Sequence, residues 1–244
     1  MKKLGIIGGL GPMATARFMM MITQMSEAEK DQDHFETIII SRPQVPDRTA
    51  YILDQTNPDP APALVGIARE LCEAGAEILV MPCFSAHYFY DTISETVKVP
   101  VIHAIDEISA RLENANIKKI GLLATDGLIQ SHIFTDKLDK TGIEVISPDE
   151  AGQKKVMQMI YHELKGGRDV DLTKLKQVSE DLLSHGAEII LLGCSELSLL
   201  KTRYSLTDEY LDALELLAGQ AVLRCGKLKS CYQRPIKASR NHAI

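Results

Sequence analysis

No stretch of this 244-residue sequence approaches the roughly 18 consecutive apolar residues of a membrane span. The opening residues, MKKLGIIGGLGP, offer an apolar run of only four before glycines interrupt it, so no signal peptide is read there. Basic charge is in short supply: 27 Lys and Arg against 33 Asp and Glu leave a net charge of −6. That balance excludes a general affinity for nucleic acid or anionic membrane. Cysteine is scarce as well. The five present, Cys72, Cys83, Cys194, Cys225 and Cys231, are odd in number and widely spaced. They exclude a disulfide framework and point to reduced thiols in the cytoplasm.

What is there is the composition of a globular protein, 45% hydrophobic and 25% charged. The length allows one large domain or two of about 100–120 residues, each with its own core. Short apolar runs alternate with longer amphipathic stretches. KLGIIGG from Lys3, ETIIISRP from Glu36, AEILVMP from Ala76, KKIGLLAT from Lys118, EVISP and AEIILLG from Ala187 read as strands. Helical patterns cover 13–28, 60–74, DEISARLENANI, 150–165, 171–185 and 207–225. This alternation predicts an α/β fold whose largely parallel sheets carry helices on both faces.

An internal repeat divides the chain. LVGIARELCEAGAEILVMPC (64–83) aligns without a gap on LKQVSEDLLSHGAEIILLGC (175–194), so that Gly75-Ala76-Glu77-Ile78 matches Gly186-Ala187-Glu188-Ile189 and Cys83 matches Cys194. KLGIIGG also resembles KIGLLAT (119–125). Two similar α/β halves are expected, one covering 1–101 with 207–226, the other 102–206. The stretch 227–244 is basic and lacks periodicity, and reads as a flexible or loosely docked tail.

The repeat puts one cysteine at the carboxyl end of an equivalent strand in each half, the edge at which open α/β sheets bind ligands. Cys72, Cys225 and Cys231 lie in helical or tail contexts and read as packing residues. Cys83 and Cys194 instead enter loops carrying Ser85 and Ser195. Such loops lead to helix N-termini, whose free N–H groups lower a thiol's pKa and can hold a carboxylate. A hydrolase needs one nucleophile, and a redox pair would show CxxC spacing. A pseudo-symmetric pair suits a symmetric reaction, in which a proton leaves one face of a carbon and another returns to the opposite face, with one thiolate and one thiol.

The segments GIIGGLGPMAT, VPDRTA (45–50), MPCFSAHYFY, GLLATDG, YHELKGG and LLGCSELSLL together resemble the PLP-independent aspartate/glutamate racemase family, over most of the chain from residue 5 to about 200. The resemblance implies two Rossmann-like halves with the active site between them, no cofactor, no metal, an amino acid as substrate and a homodimer. It implies that Cys83 and Cys194 are the acid/base residues. Arg48 and Lys165 match positions near the substrate carboxylates; Ser85, Thr125 and Ser195 match small hydroxyl contacts; Leu10 and Gly11 of the first segment join the substrate-binding set. Aspartate is the first substrate expected.

One departure stands out. Where the family has Asn-Thr after the first cysteine, this chain has Phe84-Ser85. Phe84 removes an amide, would enlarge the apolar surface at the substrate and loosens the choice of amino acid. Other readings stay open: a single-cysteine isomerase or decarboxylase of the same superfamily, such as a maleate isomerase, or a binding protein disabled by Phe84. GLGPMA (9–14) nominally fits a dinucleotide fingerprint, although Pro12 more simply starts a helix. Cys83 and His87, four apart, have metal-ligand spacing without a second pair, and His87 is read as a hydrogen-bonding residue of its loop. Glu196 either orients the site or bonds only its own loop.

Overall fold

A computed structural model describes residues 1–233, 235 and 236. Seven strands and eleven α-helices alternate along these residues. Up to residue 114 these are β1 (Leu4–Gly8), α1 (Pro12–Met25), β2 (Thr37–Ser41), α2 (Arg48–Leu53), α3 (Ala61–Glu73), β3 (Ile78–Val80), α4 (Tyr90–Ser94) and α5 (Ala104–Asn114). From residue 119 they are β4 (Lys119–Leu123), α6 (Asp126–Gln130), α7 (Ile133–Asp139), β5 (Glu144–Ile146), α8 (Glu150–Met157), α9 (Leu172–Ser184), β6 (Ile189–Leu192), α10 (Ser198–Arg203), β7 (Tyr210–Asp212) and α11 (Ala213–Cys225).

Two parallel sheets result, in the orders β2-β1-β3 and β5-β4-β6-β7. β1, β3 and β6 are apolar without alternation and buried throughout, and β4 is buried after its first residue, Lys119, as strands covered on both faces must be. The halves repeat in detail. Gly75 and Gly186 end α3 and α9 with φ of +92° and +93°, a left-handed conformation that glycine adopts without strain. A Cβ on Gly5 would meet Leu71 Cβ of α3 at 3.3 Å, and one on Gly121 would meet Leu182 Cβ of α9 at 3.0 Å, so the same close helix–strand approach recurs. Val101 bridges to Leu79 in parallel, at the place that β7 fills in the second sheet.

Two details differ from the sequence expectation. Residues 207–225 are not one helix. Asp212 accepts hydrogen bonds from the N–H groups of Leu214 and Glu215, which starts α11 only after it, while Tyr210-Leu211-Asp212 pair with Ile190-Leu191-Leu192. The segment expected to return to the first half therefore begins inside the second sheet; α11 itself packs against α1 and α5. The helix read over 150–165 changes winding at Gln158, and Gln158–Leu164 is π-helical. Of the basic tail, Lys229 N–H bonds the Met25 carbonyl and Leu228 is buried, so 227–233 lies against the end of α1. Residues 234 and 237–244 lie outside the described residues.

One core cluster is shared by both halves, with Ile6, Phe18 and Phe84 packed in the same body as Leu122, Phe134 and Leu214. Two others fill the outer faces, one per half, and contain Cys83 and Cys194 respectively. Among the described residues, no helix is long and apolar enough to cross a membrane.

Candidate active site

The carboxyl ends of β1, β3, β4 and β6 face one another, and the chain turns there through Leu10, Cys83, Thr125 and Cys194. These turns enclose a cavity of about 20 Å³. That is room for one water, which needs about 10–15 Å³. Leu10, Arg48, Cys83, Phe84, Ser85, Thr125, Lys165, Cys194 and Ser195 all line it, drawn from segments up to 185 residues apart in the chain. Gly11 is just behind: a Cβ there would stand 3.1 Å from Glu196 Oε1. Asp47, Thr49, Tyr161, Gly193 and Glu196 complete the lining.

Both thiols are 6% exposed, and their electrostatic surroundings differ. Beside Cys83 stands Arg48, the first residue of α2. Its guanidinium donates to the carbonyls of Pro46 (2.9 Å), Val45 (3.3 Å) and Leu10 (3.3 Å) and lies close enough to Cys83 for the two to interact electrostatically. Burial works against the Arg48 charge, but Cys83, Asp47 and Tyr161 outweigh it and raise its pKa. The thiol of Cys194 donates to Glu196 Oε2 at 3.1 Å, and Ser195 Oγ donates to the same oxygen at 3.1 Å. Burial first, and then the Glu196 charge and hydrogen bond, push the Cys194 pKa well above the usual thiol range. The backbone N–H of Glu196 and the ammonium of Lys165 pull the other way.

Hydroxyl groups stitch the halves together across the cavity. Thr49 Oγ1 donates to Thr125 Oγ1 (3.1 Å), and Ser85 Oγ shares a hydrogen bond with the same atom (3.1 Å). Thr125 caps α6 by accepting from the Leu128 N–H at 3.3 Å. Gly127 allows α2 and α6 to approach this closely, since a Cβ there would fall 2.7 Å from Thr49 Cα.

On the solvent side Tyr161 closes the cavity. Its hydroxyl donates to the Asp47 carboxylate (3.3 Å), and Lys165 Nζ lies 3.7 Å from its ring centroid, a cation–π distance. Lys165 stays partly open to solvent; burial opposes its charge, but Glu196, Tyr161, Cys194 and Asp47 raise its pKa. Beyond Tyr161 lies a wider depression of about 1040 Å³, lined by Asp126, Lys154, His162 and Arg168 among others, with Tyr161 forming a wall of both spaces.

Phe84 lines the cavity, yet its ring is 2% exposed and packs 6.3 Å from Phe134 and 6.2 Å from His87, centroid to centroid. Both nitrogens of His87 are engaged, Nδ1 with the Cys83 carbonyl and Nε2 with the Ala104 N–H. A metal on Cys83 and His87 would therefore have to break one of these bonds. Among the described residues no group of three or more His, Cys, Asp or Glu is placed to hold a metal ion.

Sequence reading missed Tyr161 and Thr49, although both lie inside segments already singled out, YHELKGG and VPDRTA. Glu196, left open there, bonds Cys194 itself as well as Ser195.

Comparison with known proteins bears on this geometry. The family model described as Asp/Glu/Hydantoin racemase matches residues 7–221. The chain is 26% identical over 225 residues to the broad specificity amino-acid racemase RacX of Bacillus subtilis, covering 90% of this chain and 96% of that one. The structure of Picrophilus torridus aspartate racemase superposes with a TM-score of 0.81 at 28% identity, covering 96% of this chain and 98% of the other. A glutamate racemase from Francisella tularensis, in complex with D-glutamate, shares the fold at 15% identity, with a TM-score of 0.64 over 91% of this chain and 80% of the other.

Proposed function

The chain belongs to the Asp/Glu/hydantoin racemase family and is an amino-acid racemase, and from that premise we propose that it interconverts the enantiomers of a dicarboxylic amino acid, aspartate first, by two-base proton transfer between Cys83 and Cys194. The observation that carries the reading is the pair of repeat-related buried thiols on one small cavity, the first beside a guanidinium and the second beside a carboxylate.

In this reading Cys83, beside Arg48, acts as the base, and Cys194, hydrogen-bonded to Glu196, brings the proton. Cys83 removes the Cα proton of one enantiomer. Its S–H bond forms as the Cα–H bond breaks, and the electron pair stays on the carbon and its carboxylate. Cys194 then gives its proton to the opposite face and is left as thiolate, with Lys165 and the Glu196 N–H available to hold its charge. The other enantiomer runs the same steps in reverse. Arg48 and Lys165, contributed by opposite halves, supply two cations for two carboxylates, which favours aspartate over a monocarboxylic substrate. In this reading the hydroxyls of Ser85, Thr125 and Ser195 serve the charge that develops on the α-carboxylate. The Phe84 ring is packed into the core, which supports keeping aspartate as first choice despite the missing Asn. The bacterial relative described as broad in specificity makes a panel of amino acids the right assay.

The steps assigned here need no cofactor. The proposal extends to a homodimer in the reducing cytoplasm, where thiols persist.

The test is incubation of single enantiomers in heavy water, following optical rotation and Cα deuterium. Wild type is expected to lose rotation and gain one deuterium; Cys83→Ala and Cys194→Ala are expected to keep the rotation, because inversion needs both thiols. Normal racemisation by Cys194→Ala would sink the two-base reading.

A further inference from the structure

We propose that His87 is a positioning residue for Cys83: its neutral imidazole ties the Cys83 carbonyl to the first turn of α5 and thereby fixes where the thiol stands. The proposal rests on the reading of Cys83 as a proton-transfer thiol.

His87 is 3% exposed. Its Nε2 lies 3.1 Å from the Ala104 N–H, which can only donate, so Nε2 is the unprotonated acceptor. The proton of the neutral ring is then on Nδ1, which donates to the Cys83 carbonyl at 3.1 Å. The Ala86 N–H reaches the same carbonyl at 3.2 Å. Two donors on one oxygen hold the peptide plane that follows Cys83. The ring itself is clamped, stacked on Phe84 and Tyr90 and edge-on to His103 at 5.6 Å.

The second half shows that the fold alone does not require this bond. There, the Leu197 N–H meets the Cys194 carbonyl at 3.0 Å, in the repeat position of Ala86. Ser198 stands 111 residues after His87. Its hydroxyl donates to Asp212 at 2.6 Å, and Asp212 caps α11. Both cysteine turns are thus tied to the N-terminus of a later helix, α5 in the first half and α11 in the second. Only in the first half does the tie also grip the cysteine's own carbonyl. That extra grip falls on the thiol held against Arg48, whose charge partner is a rigid fork and rewards exact placement.

Three variants separate the two bonds. Asn carries its amide three bonds from Cα, the reach of Nδ1, and can keep the bond to Cys83. Gln carries it four bonds out, the reach of Nε2, and can keep only the contact with Ala104. Phe keeps the ring and neither bond. The readouts are aspartate racemisation, thermal melting, and iodoacetamide labelling of Cys83 measured against Cys194 by peptide mass spectrometry. The expected kcat order is wild type, His87→Asn, His87→Gln, His87→Phe. Gln should fall at least ~10-fold below Asn, the loss of one charge-adjacent hydrogen bond, with KM changed much less. Labelling of Cys83 relative to Cys194 should shift in Gln and Phe but not in Asn.

A purely structural histidine predicts the opposite order. Gln spares the buried Ala104 N–H an unmet bond, so it should melt higher than Asn; if kcat follows melting temperature, the proposal is overturned. Should the Phe variant fail to fold, the Asn–Gln comparison decides alone. A wild type that racemises no amino acid of a broad panel would instead refute the reading of the site, and the labelling order of Cys83 would still decide the role of His87.

Discussion

The thiol of Cys194 lies 3.1 Å from Glu196 Oε2, inside a pocket from which solvent is nearly excluded. A carboxylate there favours the protonated sulfur, because a thiolate would face a like charge at short range. Glu196→Gln removes that charge and keeps the shape. The Cys194 pKa should fall, and labelling of that cysteine by iodoacetamide should begin at lower pH than in wild type. Racemisation should drop by about 10–100-fold, the range expected when one hydrogen bond to a charged group is lost. Unchanged labelling and rate in the folded variant would remove Glu196 from the mechanism.

Arg48→Lys keeps one positive charge but not the planar fork that spans the carbonyls of Leu10, Val45 and Pro46. The compact ammonium cannot hold this loop and Cys83 together. A fall in kcat/KM of about 100-fold is expected, alongside slower labelling of Cys83, and steady-state kinetics with both enantiomers checks it. A variant within threefold of wild type would mean that charge alone suffices.

His87 makes a prediction for pH. Burial, with a smaller contribution from His103, holds its imidazole at a pKa of about 4, below the ordinary 6.5. Between those values the unfolded chain binds a proton that the fold refuses. The contribution to stability is therefore complete above pH 6.5, is lost progressively as pH falls through the window, and levels off below pH 4. Its size is on the order of 3 kcal/mol. His87→Gln should flatten this dependence. Thermal melts of both proteins at pH 4.5 and 7.5 check it: the wild type should lose clearly more on acidification, and parallel losses would contradict the assignment.

Gly127→Ala tests the seam between the halves. The added methyl would stand 2.7 Å from Thr49 Cα, a backbone atom that cannot swing away. Overpacking of this kind typically costs about 1–3 kcal/mol. The same displacement should break the Thr49–Thr125 bond. A lower melting temperature together with reduced kcat is expected; full activity in a stable variant would show that the seam tolerates widening.

The layered α/β plan and the repeat were legible because central strands buried on both faces write uninterrupted apolar runs, and because Gly75 and Gly186 mark matching helix ends. The paired thiols followed from the same alignment. β7 left no such trace: Tyr210-Leu211-Asp212 is three residues at a sheet edge, with charged Asp208 and Glu209 before it, and only pairing with β6 makes it a strand. Tyr161 was hidden for another reason. Its place over the site depends on the π-helical winding of Gln158–Leu164 and on Asp47 in the other half, neither of which a local pattern records. Phe84 was assigned by its neighbour in sequence, and the aromatic packing with Phe134 that claims its ring comes from a distant helix.

The small size of the cavity has a practical consequence for ligand discovery. A chamber of about 20 Å³ is smaller than any amino acid, so its shape alone does not describe the substrate. A search against this shape would therefore rank the right molecules with the wrong ones. The outer depression, which shares Tyr161 as a wall with the site, belongs in that search as well. Compounds that wedge Tyr161 outward from that depression would be inhibitors of a different kind from substrate mimics, needing neither of the two carboxylates.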